Sequence, residues 1–253
     1  MSDVRRTLYL ASGLEPLELL RKLPMAAFND AEALRGVLLF EGLPSEQLSQ
    51  LNALLHRKTF PARATVMMEE QPGEVAYVIL SGSIKVSVAG DEIDTILALL
   101  GPGEVVGEMS LVDCLGRSAT AQTQEECKLL WIDRQAFSEC LLTMPQMAVN
   151  LVRVLTRRVR LANARIQSLA TLDVDGRIAR QLLAFAQEYG QVDGKKTTIP
   201  LRLTQSDLAG LVGASRESVN HAISGWKQSK LLSVDTHYHI TINDQAALAR
   251  RCR

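Results

Sequence analysis

Apolar residues along this chain recur first at helical spacing, then at strand spacing, then at helical spacing again, and those changes divide it. Leu14, Leu17, Leu20 and Leu23 predict one short amphipathic helix ending near Pro24, within an N-terminal extension of residues 1–35. A second helix follows from Leu48, Leu51, Leu54 and Leu55, with Ser45 as its expected N-cap. After Phe60-Pro61 the pattern turns to short strands. Val66-Met67-Met68 leads to the turn Gln71-Pro72-Gly73-Glu74, then Tyr77-Val78-Ile79-Leu80; past Gly82, Ile84, Val86 and Val88 alternate with Lys85, Ser87 and Ala89, and Leu129-Leu130-Trp131-Ile132 closes the series. Strands with glycine corners predict an all-β barrel or jelly roll over residues 36–143. Pro145 then opens a helix reaching about Thr171. Its stripe of Met147, Leu151, Leu155, Val159, Ala162, Ile166 and Leu169 seeks a partner, either its own copy across a two-fold axis or the preceding β domain. Arg153, Arg157, Arg160 and Arg165 are expected elsewhere on its surface.

Leu172-Asp173-Val174 interrupts that stripe, so residues 144–172 read as helix and hinge and 173–253 as a further domain. Asp173 is suited to cap a helix over 177–189, and the polar stretch 191–200 is a loop or a small strand pair. Thr204 caps a helix beginning Gln205-Ser206-Asp207-Leu208; Val212-Gly213-Ala214 is a tight turn; Ser215 caps a second helix through Ile223. Two short helices joined through a glycine turn are a helix-turn-helix. Two short β runs around Asp235-Thr236-His237 resemble a winged-helix wing, and residues 245–253 are expected to add a helix. The fold class is therefore α+β: a β jelly roll, a long helix, and a winged helix-turn-helix.

Charge sharpens the division. Residues 1–150 hold 12 Lys+Arg against 20 Asp+Glu, a net of −8, while residues 151–253 hold 16 against 8, a net of +8. A basic half beside an acidic one suits a domain that faces nucleic acid. On the second helix of the pair, Arg216, Glu217, Asn220 and His221 lie off the apolar face made by Val219, Ala222, Ile223 and Trp226. Arg216 can take guanine N7 and O6, and Glu217 can accept from cytosine N4. With Thr204, Gln205, Ser215 and Ser218 they are the expected DNA-contacting set. Cys114, Cys127, Cys140 and Cys252 show no Cys-x-x-Cys spacing, so neither a metal, a haem nor an iron–sulfur cluster is expected, and they fit a reducing cytoplasm. No apolar run approaches membrane-spanning length, and no Ser/His/Asp or Cys/His arrangement suggests an enzyme.

The densest chemistry lies in Gly107-Glu108-Met109-Ser110-Leu111, followed by Gly116-Arg117-Ser118-Ala119-Thr120. Arg117 can hold a phosphate through parallel hydrogen bonds, and small Ser118 and Ala119 let backbone N–H groups approach the same oxygens. Glu108 repels phosphate and needs a neutral donor such as a sugar hydroxyl. An anion and a hydroxyl read by one segment imply a nucleotide; the alternative is that Glu108 and Arg117 pair with each other across a turn.

These residues, Gly-Glu-x-Ser-Leu with Arg-Ser-Ala-Thr, resemble the phosphate-binding cassette of cyclic-nucleotide-binding domains in the cyclic-AMP receptor (CRP/FNR) family of bacterial transcription regulators. The Leu-Asp-Val-x-Gly-Arg-Ile-Ala run from Leu172 and Ser215-Arg216-Glu217-Ser218-Val219 resemble its hinge and recognition helix, so the resemblance covers nearly all of residues 38–242. It implies that Glu108 holds the ribose 2′-hydroxyl, that Arg117 pairs with the cyclic phosphate, and that Gly107, Met109, Ser110, Ser118 and Ala119 complete the site. It further implies cyclic AMP as allosteric ligand, a homodimer through the helix around 145–171, double-stranded promoter DNA with a near-palindromic site, and RNA polymerase as partner.

The chain departs from the family pattern in four places. Glu108 and Arg117 stand one residue closer together. The Thr-Ser pair that meets the base becomes Ala162-Asn163, so Asn163 alone is expected above the ligand and base identity stays open, with cyclic GMP or another anion as alternatives. His221 replaces a longer basic reader, and the wing lacks Lys and Arg. Two rival readings remain: the same DNA-binding regulator acting without ligand or through redox chemistry at Cys114, and a nucleotide-binding regulatory subunit of an enzyme.

Overall fold

The computed structural model describes residues 31–90 and 94–252; the helix expected before Pro24 lies outside them. In chain order come α1 (Ala31–Arg35), a 3-10 turn (Leu38–Phe40), α2 (Ser45–Leu54), β1 (His56–Phe60), β2 (Thr65–Met67), β3 (Val75–Ser81), β4 (Ile84–Val88), β5 (Thr95–Leu100), β6 (Val105–Val106), α3 (Glu108–Asp113), β7 (Thr120–Thr123), β8 (Cys127–Asp133), α4 (Arg134–Thr143) and the long α5 (Pro145–Thr171). The second half holds α6 (Val174–Tyr189), β9 (Gln191–Asp193), β10 (Lys196–Ile199), α7 (Gln205–Val212), α8 (Arg216–Gln228), β11 (Leu232–Val234), β12 (Ile240–Ile242) and α9 (Gln245–Ala249).

Two antiparallel sheets, ordered β1-β8-β3-β6 and β2-β7-β4-β5, make the β domain. β3 and β8 read as continuous apolar runs because both their faces are covered. Tyr77, Ile79, Leu129 and Trp131 turn inward against Phe60 and Ile84. Their neighbours Ala76, Val78, Leu130 and Ile132 turn outward under Phe40, Leu48, Phe137 and Met147 of the surrounding helices. Asn150 of α5, fully buried, pins that helical layer by donating to the carbonyls of Leu39 (3.1 Å) and Glu41 (2.7 Å).

α5 therefore serves two neighbours. Met147 and Leu151 are buried in the β domain's helical layer, whereas Val159, Ile166 and Leu169 farther along the same stripe are exposed. Of the expected surface arginines, Arg153 and Arg160 are exposed, but Arg157 pairs with Glu188, and Arg165 donates to the carbonyls of Ile96 (3.1 Å) and Leu97 (2.7 Å). Long guanidinium stems can turn toward buried acceptors that helical periodicity does not reveal. Ser45 does not cap α2, since Pro44 holds the cap position; its hydroxyl accepts from Arg35 (2.9 Å) instead.

Asp173 caps α6 by accepting from Gly176 N (2.8 Å), one turn earlier than the expected helix start at 177. The strand pair at 191–199 joins the wing in one antiparallel sheet, β11-β12-β10-β9, through the register Thr197↔Ile242. Ile96 and Leu99 of β5 belong to the same apolar cluster as Ile178, Leu182, Leu208 and Trp226, so the C-terminal domain is seated on the β domain's last long hairpin.

Candidate functional site

β6 pairs with β3 (Tyr77↔Val106), and the chain then turns at Gly107, whose φ of 88° falls in the left-handed region. A side chain there is also barred by space: a Cβ would lie 2.6 Å from Arg117 Nη1. The turn delivers Glu108 as the first residue of α3, with neither carboxylate oxygen exposed to bulk solvent. Arg117 arrives from the other direction. Its backbone is tied to the 70–72 turn, N to Gln71 O and O to Glu70 N, each at 2.9 Å. Its guanidinium donates to Val75 O (2.5 Å), Gly107 O (2.7 Å) and Ser110 Oγ (3.4 Å).

Glu108 and Arg117 do not pair with each other. Glu108 Oε1 accepts from Arg158 of α5, which also donates to Val105 O. Oε2 is buried without a hydrogen-bond partner. A carboxylate oxygen withdrawn from water and left unpaired costs free energy, so it is a ready acceptor for any donor that enters. Burial pushes the Glu108 carboxyl above the usual carboxylate range, against the opposing pull of Arg158 and then Arg117. Burial likewise draws Arg117 below the usual arginine value, opposed by Tyr77 and Glu108, though a guanidinium so placed stays charged. Its three bonds use three of the five N–H donors a guanidinium carries, so the fork retains donors for an anion.

Gly107, Glu108, Met109, Ser110, Arg117, Ser118 and Ala119, the whole predicted set on the β domain, line one cavity of about 830 Å³ between this segment, α5 and α6. Asn163 does not join them. It is exposed on α5 and outside the lining, while its neighbour Ala162 is within it, so in a single chain nothing amide-bearing at 163 stands above the cassette. Arg158 was not anticipated: it lies 50 residues from its partner, and the short-range sequence pattern carries no sign of that pairing. Cys114 is an exposed free thiol with φ of 58°, and none of the four cysteines is in a disulfide.

The second group of predicted residues gathers on the helix-turn-helix. Thr204 accepts from Asp207 N while Asp207 accepts from Thr204 N (each 3.1 Å), a reciprocal capping box. Gly213, φ 61°, makes the turn, and Ser215 caps α8 by accepting from Ser218 N (3.1 Å). Arg216, Glu217, Asn220 and His221 are exposed along the start of α8. Gln205 on α7 donates to Asn220 Oδ1 (2.8 Å), tying the two helices together on their outer face. Thr204, Gln205, Arg216 and Asn220 border a groove of about 590 Å³ between this unit and the wing; Ser215, Glu217, Ser218 and His221 lie outside its lining. The groove also takes in Lys227, near the end of α8. The wing is also less bare of cations than its own residues imply, because Arg202 stacks over Tyr238 (4.9 Å to the ring centre).

Comparison with known proteins follows the same division. The cyclic nucleotide-binding domain family matches residues 57–144, and the Crp-like helix-turn-helix domain family matches residues 176–251. The chain is 35% identical over 216 residues to a CRP-like cAMP-activated global transcriptional regulator of Mycobacterium tuberculosis, covering 85% of this chain and 96% of that one. It is 31% identical over 193 residues to the cyclic AMP receptor protein of Thermus thermophilus, covering 75% and 85%. Among solved structures it is similar to the c-di-GMP responsive global regulator CLP of Xanthomonas campestris, with TM-score 0.64 and 25% identity over 79% of this chain and 99% of that one. CooA from Carboxydothermus hydrogenoformans, at 19% identity and TM-score 0.69 over 81% and 91%, shares the fold.

Proposed function

The chain belongs to the CRP/FNR family of transcription regulators, and on that premise we propose that it is a dimeric DNA-binding regulator gated by a cyclic nucleotide, cyclic AMP. The observation that carries this reading is the pairing within one cavity of a buried, partnerless Glu108 Oε2 with the Arg117 fork. A cyclic nucleotide supplies both complements, a ribose hydroxyl to donate to Glu108 and a cyclic phosphate to accept from Arg117. Gly107, Met109, Ser110, Ser118 and Ala119 line the approach. The two relatives whose names specify cAMP favour the adenine nucleotide. A cyclic dinucleotide is the second reading, favoured by the likeness to a c-di-GMP responsive regulator.

The exposed end of the α5 stripe, Val159, Ile166 and Leu169, supports association with a second copy about a two-fold axis. Such a dimer presents two α8 helices to successive major grooves, roughly 34 Å apart, and reads a near-palindromic promoter site. Arg216, Glu217, Asn220 and His221 face base edges, while Thr204, Gln205, Ser215 and Ser218 sit at the helix starts toward the backbone. RNA polymerase is the partner on promoter DNA and the cytoplasm the compartment; no helix among the described residues is long and apolar enough to cross a membrane. The match to a DNA-binding family over residues 176–251 sets aside a regulatory subunit of an enzyme.

The test is site selection from random duplexes with and without cyclic AMP, followed by fluorescence anisotropy on the winning sequence. A near-palindrome bound at least tenfold more tightly with nucleotide is expected; equal affinity in both conditions refutes the gating.

A further inference from the structure

Tyr189 ends the first helix of the DNA-binding domain, yet its hydroxyl belongs to the other domain. It donates to Glu104 Oε2, in the turn between β5 and β6, and approaches Leu99 O (3.4 Å). Glu104 is held in place for this, since the same oxygen accepts from Gly101 N (2.9 Å). Gly101 makes room for the ring: a Cβ there would stand 3.2 Å from Tyr189 Cε1. The preceding residue on α6, Glu188, pairs with Arg157 of α5, whose guanidinium also comes within 4.0 Å of Glu104 Oε1. Burial raises the Tyr189 hydroxyl well above the usual tyrosine value, so it remains a donor at any physiological pH.

Arg157 is the chain neighbour of Arg158, the partner of Glu108. Two adjacent arginines on one helix thus hold the cassette carboxylate on one side and the carboxylates around Tyr189 on the other. Glu104, Glu108, Arg157, Arg158, Glu188 and Tyr189 all line the same cavity. A ligand donor that bonds Glu108 competes with Arg158 for its charge, and any resulting shift of that turn of α5 is felt at Arg157. Differential contact with two arrangements of one element is what allosteric coupling requires.

We propose that Tyr189 anchors the DNA-binding domain to the ligand domain, and that Glu104, Arg157 and Glu188 form the relay by which occupancy of the cavity changes that anchorage. This rests on the nucleotide reading of the cavity. Tyr189 acts through Glu104 and touches no DNA, so it is a positioning residue.

The experiment uses the full-length chain with Tyr189→Phe, which keeps the ring packed, Glu104→Leu, which removes the acceptor, and the double variant. DNA affinity is measured by anisotropy with and without saturating cyclic AMP. Loss of a hydrogen bond to a charged group predicts that the nucleotide's fold-effect on DNA affinity falls about tenfold in Tyr189→Phe. Glu104→Leu, which also removes the partner of Gly101 N and Arg157, should lose at least as much, and the double variant should lose no more than Glu104→Leu alone. A fold-effect within twofold of wild type in Tyr189→Phe, or additive losses in the double variant, overturns the proposal. Should the wild type ignore cyclic AMP, the nucleotide reading fails by itself. Hydrogen exchange then decides the anchor: Tyr189→Phe must raise exchange across residues 95–104 relative to the rest of the β domain, and unchanged exchange there refutes it.

Discussion

Arg158→Met tests the physical basis of the site without any ligand. The substitution keeps an apolar stem against the helix but removes both the ion pair to Glu108 and the bond to Val105 O. Removing one member of a buried ion pair costs about 3–5 kcal/mol; Arg158 is 31% exposed while Glu108 is 1% exposed, so partial hydration of the arginine lowers the expectation to about 2–3 kcal/mol. The assay is urea unfolding in a Trp226→Phe background, where buried Trp131 alone reports on the β domain. At about 2–4 °C per kcal/mol the same loss lowers the thermal midpoint by roughly 4–12 °C. The pH dependence has a definite sign. Burial holds the folded pKa of Glu108 above its unfolded value, so its contribution is whole below the ordinary carboxylate range and is lost as pH rises through the folded value. Arg158 opposes that loss, so the penalty of Arg158→Met should be smallest at acid pH, where the carboxyl is protonated, and grow as pH rises through the folded value. Replacing both residues, as Glu108→Gln/Arg158→Met, should recover part of the loss at the higher pH. A cost below about 0.5 kcal/mol at the higher pH, or one that does not grow with pH, refutes the argument.

Three further outcomes follow from other parts of the structure. Gly73→Ala places a methyl 2.2 Å from Ser110 Cβ, so it should cost the β domain about 1–3 kcal/mol and weaken cyclic-AMP binding more than tenfold, as read by denaturation and calorimetry, with Trp226 unfolding unchanged. Asn150→Ala leaves the carbonyls of Leu39 and Glu41 without their buried donor and should destabilise the same domain by about 2 kcal/mol in urea titration. Arg216→Ala should weaken binding to the selected duplex by about 1–3 kcal/mol and relax base preference at one position per half-site, read by repeating the selection.

What sequence reasoning reached, and what it missed, follows the range of the interactions. Caps and turns are local, so Asp173, Thr204, Gly213 and Ser215 were legible one by one. The alternation of Ile84, Val86 and Val88 with Lys85, Ser87 and Ala89 and the apolar run Tyr77-Val78-Ile79-Leu80 both predict strands, and covering on both faces explains why the latter is apolar throughout. The cassette was legible because its groups lie within a short span and differ in what they can bind. The remainder depends on pairs distant in sequence. Arg158 with Glu108, Arg165 with the carbonyls of β5, and Tyr189 with Glu104 join segments separated by 50 to 85 residues, and a charged stem on a helix gives no sign of which way it turns. Asn163 shows the same limit: a residue's place on a long helix is set by its rotation, and within one chain that rotation turns Ala162, not the amide of Asn163, into the cavity. In the C-terminal sheet the sequence allows a strand pair at 191–200 and predicts two β runs at the wing, but their joining through Thr197 and Ile242 is long-range and carries no local sign.

The most direct test of the account is calorimetric titration of the full-length chain with cyclic AMP and cyclic GMP, repeated on Arg117→Ala. The account predicts one saturable binding heat with cyclic AMP, weaker or absent with cyclic GMP, and lost in Arg117→Ala while the variant's C-terminal domain unfolds as in the wild type. No heat with either nucleotide, or binding that survives the loss of Arg117, would contradict it.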